Sequence, residues 1–158
     1  MSTYVLDTGI ILGYAKGTGY AKYVDQTYSI SAPPNIGVIS VVTKGEMLSL
    51  AKQRNWGHVK ARALHELLNT IPTIDINNQQ ILDAYAEIDA YSQGKCTPSH
   101  LPAMSSSRNM GKNDIWIAAT ATVLKAILVT TDQHFSHLDG KYMDVIYIDP
   151  SGGYVGQQ

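Results

Sequence analysis

Short apolar runs alternate along the chain with longer segments of helical periodicity. Five runs rich in β-branched residues are typical of strands, the last of them weaker than the others: Tyr4–Leu6, Gly37–Val42, Ala126–Thr130, Val145–Ile148 and Pro72–Ile76. Four segments between them carry a helical pattern: Glu46–Arg54, Val59–Asn69, Asn78–Ser92 and Asp114–Lys125. Strands that alternate with helices predict an α/β fold of three layers, α/β/α, around a central, mostly parallel sheet of four to five strands.

The length of 158 residues and the hydrophobic content of 44% suit one domain. We expect residues 1–150 to form it and the glycine-rich residues 151–158 to be a flexible C-terminal tail. Gly94–Gly111, which contains Pro98, Pro102 and three consecutive serines, predicts a long loop, and loops of that length are usually functional or disordered.

Composition excludes several classes of protein. The N-terminal apolar run is too short for a signal peptide, and no run approaches the roughly 18 apolar residues of a membrane span. Cys96 is the only cysteine, so an intrachain disulfide is excluded and a cysteine-built zinc site is disfavoured. We expect a cytoplasmic protein without a membrane segment. The net charge of −1 does not itself indicate nucleic-acid binding, which would need a local basic patch.

Four acidic residues lie where predicted strands end or helices begin. Asp7 follows the first run and Asp132 follows Leu128–Thr131, while Glu46 lies about one helical turn beyond the second run and Asp114 opens the last helix. Ligands of an open parallel sheet bind outside the carboxyl ends of its strands. The four carboxylates are therefore expected to meet at one edge of the sheet.

Each acid also has a purely structural interpretation. Thr43–Glu46 matches a capping box, Asp114 suits the first turn of a helix, and Asp7 and Asp132 could each cap a helix. Together, however, unit charges about 4 Å apart repel by about 4 kcal/mol at an effective dielectric constant of 20. Such a cluster needs a counter-charge, and ligands that are all oxygen suit Mg²⁺ or Mn²⁺.

Four segments occur along the chain in the order Val5–Thr8, Ser40–Glu46, Gly111–Ala119 and Val129–Phe135. Together they resemble the PIN-domain ribonucleases, and among them the VapC-like toxins of bacterial toxin–antitoxin pairs. Gly111–Ala119 is similar to the family's N-D-x-x-I-A-A segment, and Val129–Phe135 is similar to its T-x-D-x-x-F segment. Val5–Thr8 is similar to its first strand, and Ser40–Glu46 resembles the segment with its second acid. The resemblance extends from Tyr4 to about Ile148 and implies a PIN-like nuclease domain.

The resemblance implies that Asp7, Glu46 and Asp114 hold Mg²⁺ or Mn²⁺, with Asp132 at a second ion or at a water on the metal. It places Thr130 where its hydroxyl could hydrogen-bond an active-site carboxylate. The implied activity is hydrolysis of RNA by in-line attack of water, which leaves a 5′-phosphate and a 3′-hydroxyl. Relatives cut transfer RNA or ribosomal RNA. The implied partners are a protein antitoxin and a second copy in a homodimer.

Two features depart from the family pattern. Gly9 stands where many relatives have Asn or Ser. The insertion Gly94–Gly111 is longer than the connection in compact members, and its basic residues Arg108 and Lys112 could contact an RNA phosphate or could be ordinary surface charges.

Alternative interpretations remain open at this point. Asp7-Thr8-Gly9 also resembles the Asp-Thr-Gly motif of aspartic proteases, but there is one copy and the helical patterns oppose their mostly β fold. The protein could instead be a non-catalytic PIN-like module that binds RNA or a partner. His134 and His137, three apart and without an evident third ligand, are expected to be surface histidines.

Overall fold

The computed structural model describes residues 1–96 and 107–154. Five strands form one sheet: β1 (Thr3–Leu6), β2 (Ile36–Ser40), β3 (Thr73–Ile74), β4 (Ile127–Thr130) and β5 (Val145–Tyr147). Six α-helices accompany them: α1 (Thr8–Lys16), α2 (Gly19–Tyr28), α3 (Val41–Gln53), α4 (His58–Thr70), α5 (Gln79–Ser92) and α6 (Lys112–Leu124). A 3₁₀ helix spans Gln133–Leu138.

The strand order is β3-β2-β1-β4-β5, and every neighbouring pair is parallel. Leu6 pairs with Val129, and Val5 pairs with Val38 on the other side, so β1 lies at the centre of the sheet. The chain leaves β1 and β4 at the same edge, because parallel strands share a direction. The predicted parallel sheet of four to five strands is confirmed.

Helices cover both faces of the sheet. Side chains alternate along a strand, so Val5 packs into one core and Leu6 into the other. The first core contains buried residues of α5 and α6, and the second contains buried residues of α1, α2, α3 and α4. The three-layer α/β/α prediction is therefore confirmed, and this architecture excludes the mostly β fold that the protease interpretation of Asp7-Thr8-Gly9 requires.

Local boundaries differ from the sequence prediction in two places. β2 ends at Ser40 rather than Val42, because the Ser40 hydroxyl accepts a hydrogen bond from the Val42 amide and starts α3 there. α1 and α2 lie before Glu46, where the periodicity predicted no helical segment. Gly13 lies inside α1, where a Cβ would overlap the ring of Tyr20.

The ends and the insertion are only partly described. In the predicted tail, residues 151–154 are described, and the Tyr154 ring packs 4.8 Å from the ring of Tyr23 on α2; the remainder of the tail lies outside the described residues. The described parts of the predicted 94–111 loop contain no helix or strand, and its residues 97–106 lie outside the described parts. In the segments that the structure describes, no helix is both long enough and apolar enough to cross a membrane.

Candidate metal centre

Asp7 is the most deeply buried of the four acids, with 5% of its surface exposed. It follows β1 directly and begins α1, and its Oδ1 accepts a 2.7 Å hydrogen bond from the Thr8 amide. Its Oδ2 accepts a 2.6 Å hydrogen bond from the hydroxyl of Thr130, the last residue of β4. The helix-capping interpretation of Asp7 is thus correct, and it does not compete with a functional one.

Asp132 lies two residues beyond the end of β4, and β4 pairs with β1. Its amide donates to Thr130 Oγ1 over 3.0 Å, and its Oδ1 accepts from the His134 amide at the start of the 3₁₀ helix. The Thr130 hydroxyl therefore bonds both Asp7 and the backbone of Asp132. The resemblance implied a hydrogen bond from Thr130 to an active-site carboxylate, and in the structure the carboxylate that this hydroxyl contacts is Asp7.

Glu46 approaches the same edge from the second turn of α3. Its Oε1 accepts a 2.7 Å hydrogen bond from the Thr8 hydroxyl. The capping box proposed for Thr43–Glu46 is wrong, because α3 begins at Val41 and its cap is Ser40. The hydroxyl of Thr8 thus orients Glu46. Thr8 was not among the predicted site residues, although its position directly after Asp7 could have indicated it.

Asp114 lies in the first turn of α6, as predicted, and is partly buried. Burial is the largest cause that raises its pKa to about 7, and the charges of Asp7, Asp132 and Glu46 raise it further. Burial likewise raises the pKa of Asp7 to about 6, against the opposing hydrogen bonds from Thr130 and Thr8. The structure thus brings the four predicted acids close enough to disfavour one another's charge.

The carboxylates do not form a ready coordination shell. Within residues 1–96 and 107–154, no group of three or more His, Cys, Asp or Glu side chains is arranged to hold a metal ion. What the cluster does offer is oxygen donors with excess negative charge on a framework fixed by the Thr8 and Thr130 hydroxyls. That donor chemistry suits a hard divalent cation.

The basic groups around the acids are partly committed to other contacts. His134 Nδ1 lies 3.1 Å from Asp132 Oδ1, and Lys112 Nζ lies 3.6 Å from Asp89 Oδ2 on α5. Arg108 is exposed. The surface interpretation is correct for His134 but wrong for His137, which is partly buried and lies 2.8 Å from the hydroxyl of Ser92.

The structure explains why glycine occupies position 9. A Cβ at Gly9 would overlap the hydroxyl of Thr131, the residue between Thr130 and Asp132. In this chain the second position of α1 therefore contacts the end of β4 directly. A side chain there, as in the pattern from which Gly9 departs, would need a different neighbour at Thr131.

Comparison with known proteins supports the fold and the family. No curated protein matches the sequence. VapBC2 from Rickettsia felis, bound to a DNA fragment from its promoter, is similar with a TM-score of 0.74 and 19% identity, over 93% of this chain and 99% of that chain. VapBC-1 from nontypeable Haemophilus influenzae is similar with a TM-score of 0.68 and 25% identity, over 92% and 97%.

A third similar structure is VapBC-5 from Mycobacterium tuberculosis, a member of the VapBC family of toxin–antitoxin systems. Its TM-score is 0.61 and its identity 19%, over 94% of this chain and 100% of that chain. The sequence pattern of the PIN domain family matches residues 4–141, which include Asp7, Glu46, Asp114 and Asp132. Since that match spans most of the sequence, the chain belongs to the PIN domain family.

Proposed function

We propose that this protein is an endoribonuclease that uses Mg²⁺ or Mn²⁺ and acts as the toxin of a toxin–antitoxin pair. The observation that carries the proposal is the position of Asp7. A carboxylate with 5% of its surface exposed, and with its pKa raised to about 6 beside Glu46 and Asp132, is costly to keep charged at neutral pH. Perturbed carboxylates gathered at one sheet edge are typical of functional sites.

Asp7, Glu46, Asp114 and Asp132 would hold the cation, directly or through water. Because no three of these side chains are already arranged around an ion, binding would draw them together. A bound divalent cation supplies the positive charge that offsets the carboxylates and the charge developing on a phosphodiester. It does so in a partly buried site, where electrostatic interactions are stronger than in water.

The chain's own hydroxyls would keep the acids in place during this chemistry. Both oxygens of Asp7 accept a hydrogen bond, one from Thr130 and one from the Thr8 amide, and the Thr8 hydroxyl fixes one oxygen of Glu46. A carboxylate oxygen has more than one lone pair, so these acids can still bind the cation or water. Arg108 and Lys112 are the proposed contacts to RNA phosphates. Lys112, whose side chain is exposed, would exchange its 3.6 Å pairing with the partly buried Asp89 for such a contact.

The toxin role rests on the neighbours that are described as VapBC toxin–antitoxin complexes. We infer by that analogy a protein antitoxin, a homodimer and a cytoplasmic location. The substrate class is structured RNA, with transfer RNA and ribosomal RNA as the first candidates. A reading frame for a small DNA-binding protein next to the gene would support the pairing.

The direct test is cleavage of total RNA by the purified protein with Mg²⁺ or Mn²⁺, beside the Asp7→Asn variant and a reaction in EDTA. We expect discrete fragments with 5′-phosphate ends from the wild type only. Equal fragment patterns from wild type and variant, or no fragments from any RNA class with either metal, would overturn the enzymatic proposal. The protein would then be a binding module of the same fold.

A further inference from the structure

Ser92, the last residue of α5, is fully buried and contacts two separate segments. Its Oγ lies 2.8 Å from His137 Nε2 and donates to Met110 Sδ over 3.4 Å. Its carbonyl oxygen accepts a 2.6 Å hydrogen bond from the amide of Arg108. We name Ser92, His137, Met110 and Arg108 the Ser92 clasp.

The two segments held by the clasp are those that carry Asp114 and Asp132. His137 belongs to the 3₁₀ helix that Asp132 caps. Arg108 and Met110 lie in the segment that leads directly into α6, where Asp114 occupies the first turn. Both segments therefore meet at one buried side chain.

The start of α6 has no side-chain cap. Its cap residue is Gly111, which provides no side-chain hydrogen bond to the helix. The charge of Asp132 opposes the ionisation of Asp114, so the two carboxylates repel each other. Contacts of Ser92 with the preceding residues, Arg108 and Met110, thus resist separation of the two acids.

Hydrogen placement within the clasp follows from the number of available protons. Burial lowers the pKa of His137 and the charge of Arg108 lowers it further, so the imidazole is neutral at pH 7 and has one N–H. If Nε2–H donates to Ser92 Oγ, the serine proton is free for Met110 Sδ and both contacts are made. The Tyr91 ring is stacked nearly parallel to the imidazole, with the ring centroids 6.3 Å apart.

We propose that Ser92 is a positioning residue that fixes the distance between Asp114 and Asp132 by joining the 3₁₀ helix to the segment before α6. The proposal rests on the proposed function, since that distance matters for holding a divalent cation. Ser92 is buried, and its hydrogen bonds in the described residues go to His137, Met110 and Arg108 rather than to the acids.

The first test compares Ser92→Ala with Thr120→Val in a calorimetric titration with Mn²⁺. Thr120 is equally buried, but its hydroxyl donates to Trp116 O within α6. Removing that hydroxyl therefore breaks no contact between separate segments. We expect the Mn²⁺ dissociation constant to rise about tenfold in Ser92→Ala, the scale of lost supporting contacts in metal sites, and to stay unchanged in Thr120→Val. Equal affinity of Ser92→Ala and wild type would overturn the proposal.

A double-mutant cycle with His137→Phe separates positioning from general loss of stability. Phenylalanine keeps the stacking on Tyr91 and removes the hydrogen bond. If both residues act through the same contact, the double variant binds Mn²⁺ no more weakly than either single variant. Losses of affinity that simply add would contradict a shared clasp.

A second readout needs no metal and keeps this inference distinguishable from the proposed function. In metal-free protein, Ser92→Ala should speed amide hydrogen exchange at Ile115, which bonds Gly111 O, and at His134, which bonds Asp132 Oδ1. Unchanged exchange at both amides would overturn the clasp. A wild type that shows protected amides but binds no Mn²⁺ would instead overturn the proposed function and with it the positioning role.

Discussion

The Thr130 hydroxyl donates a 2.6 Å hydrogen bond to Asp7 Oδ2, joining the ends of two adjacent strands across 123 residues of sequence. Thr130→Val keeps the shape of the side chain and removes this donor from a buried carboxylate. We expect unfolding in urea to show a loss of about 1–3 kcal/mol at pH 7.5, because Asp7 is left with one fewer partner. The loss should be smaller at pH 4.5, where Asp7 is protonated.

Thr120→Val is the matched control for Thr130→Val. Both threonines are fully buried, but Thr120 donates to a neutral carbonyl in its own helix. Its destabilisation should not vary with pH. A pH-independent loss in Thr130→Val would show that its hydroxyl does not stabilise a charged Asp7.

The pH dependence of stability should reveal the raised pKa of Asp7. The folded carboxyl has a pKa of about 6, above its ordinary value of 3.8, so the folded state retains a proton that the unfolded chain has lost. Stability of the metal-free protein therefore decreases as the pH rises from about 4 to about 6, by about 3 kcal/mol for this group. Asp114, with a pKa of about 7, extends the decrease upward.

Asp7→Asn isolates this contribution, because asparagine cannot ionise. In EDTA, the variant should gain stability relative to wild type as the pH rises from 4 to 7, as measured by urea unfolding at several pH values. The difference between the two proteins removes the contributions of groups that do not interact with Asp7. Asp114, whose pKa the charge of Asp7 raises, changes the difference in the same direction. A constant difference across that range would contradict the raised pKa of Asp7.

The contact between Gly9 and Thr131 predicts a rescue. Gly9→Ala places a methyl group where the Thr131 hydroxyl lies, and overpacking of this kind costs about 1–3 kcal/mol. Thr131→Ala removes that hydroxyl, so the double variant should recover most of the lost stability in thermal unfolding. If Thr131→Ala gives no recovery, another contact explains the glycine.

Glu46→Gln should weaken the metal centre without unfolding the protein. The amide oxygen can still accept the hydrogen bond from Thr8, but the negative charge near Asp7 is lost. We expect Mn²⁺ affinity to fall at least about tenfold while the melting temperature stays the same or rises. Glu66→Gln, at an exposed ion pair with Arg62, is the control and should leave metal affinity unchanged.

Sequence patterns predicted the layers of the fold well because the strands are short, apolar and β-branched. The positions of the four acids, after strands or near the starts of helices, predicted that they would share an edge, and the structure brings them within electrostatic range of one another. The sequence pattern did not predict the helices α1 and α2, because glycines at positions 9, 13, 17 and 19 lower helix propensity. Tertiary contacts to Thr131 and Tyr20 explain two of those glycines, and such contacts are not visible in sequence.

Side-chain contacts between distant segments were also beyond the sequence. Thr8 reaches Glu46 across 38 residues, and Ser92 reaches His137 across 45. Neither pairing follows from local spacing, since each depends on which helix packs beside which strand. His137 was misjudged for this reason: a polar residue three positions from an exposed histidine gave no sign of burial beneath α5.

Direct titration with Mn²⁺ tests most plainly whether the four carboxylates form a metal centre. If they do, the wild type binds Mn²⁺ at pH 7.5, and it binds at least about tenfold more weakly at pH 5, where Asp7 and Asp114 are protonated. Asp7→Asn shows no binding at either pH. Equal binding by the wild type and Asp7→Asn, or no binding by the wild type at millimolar Mn²⁺, would contradict the proposed metal centre.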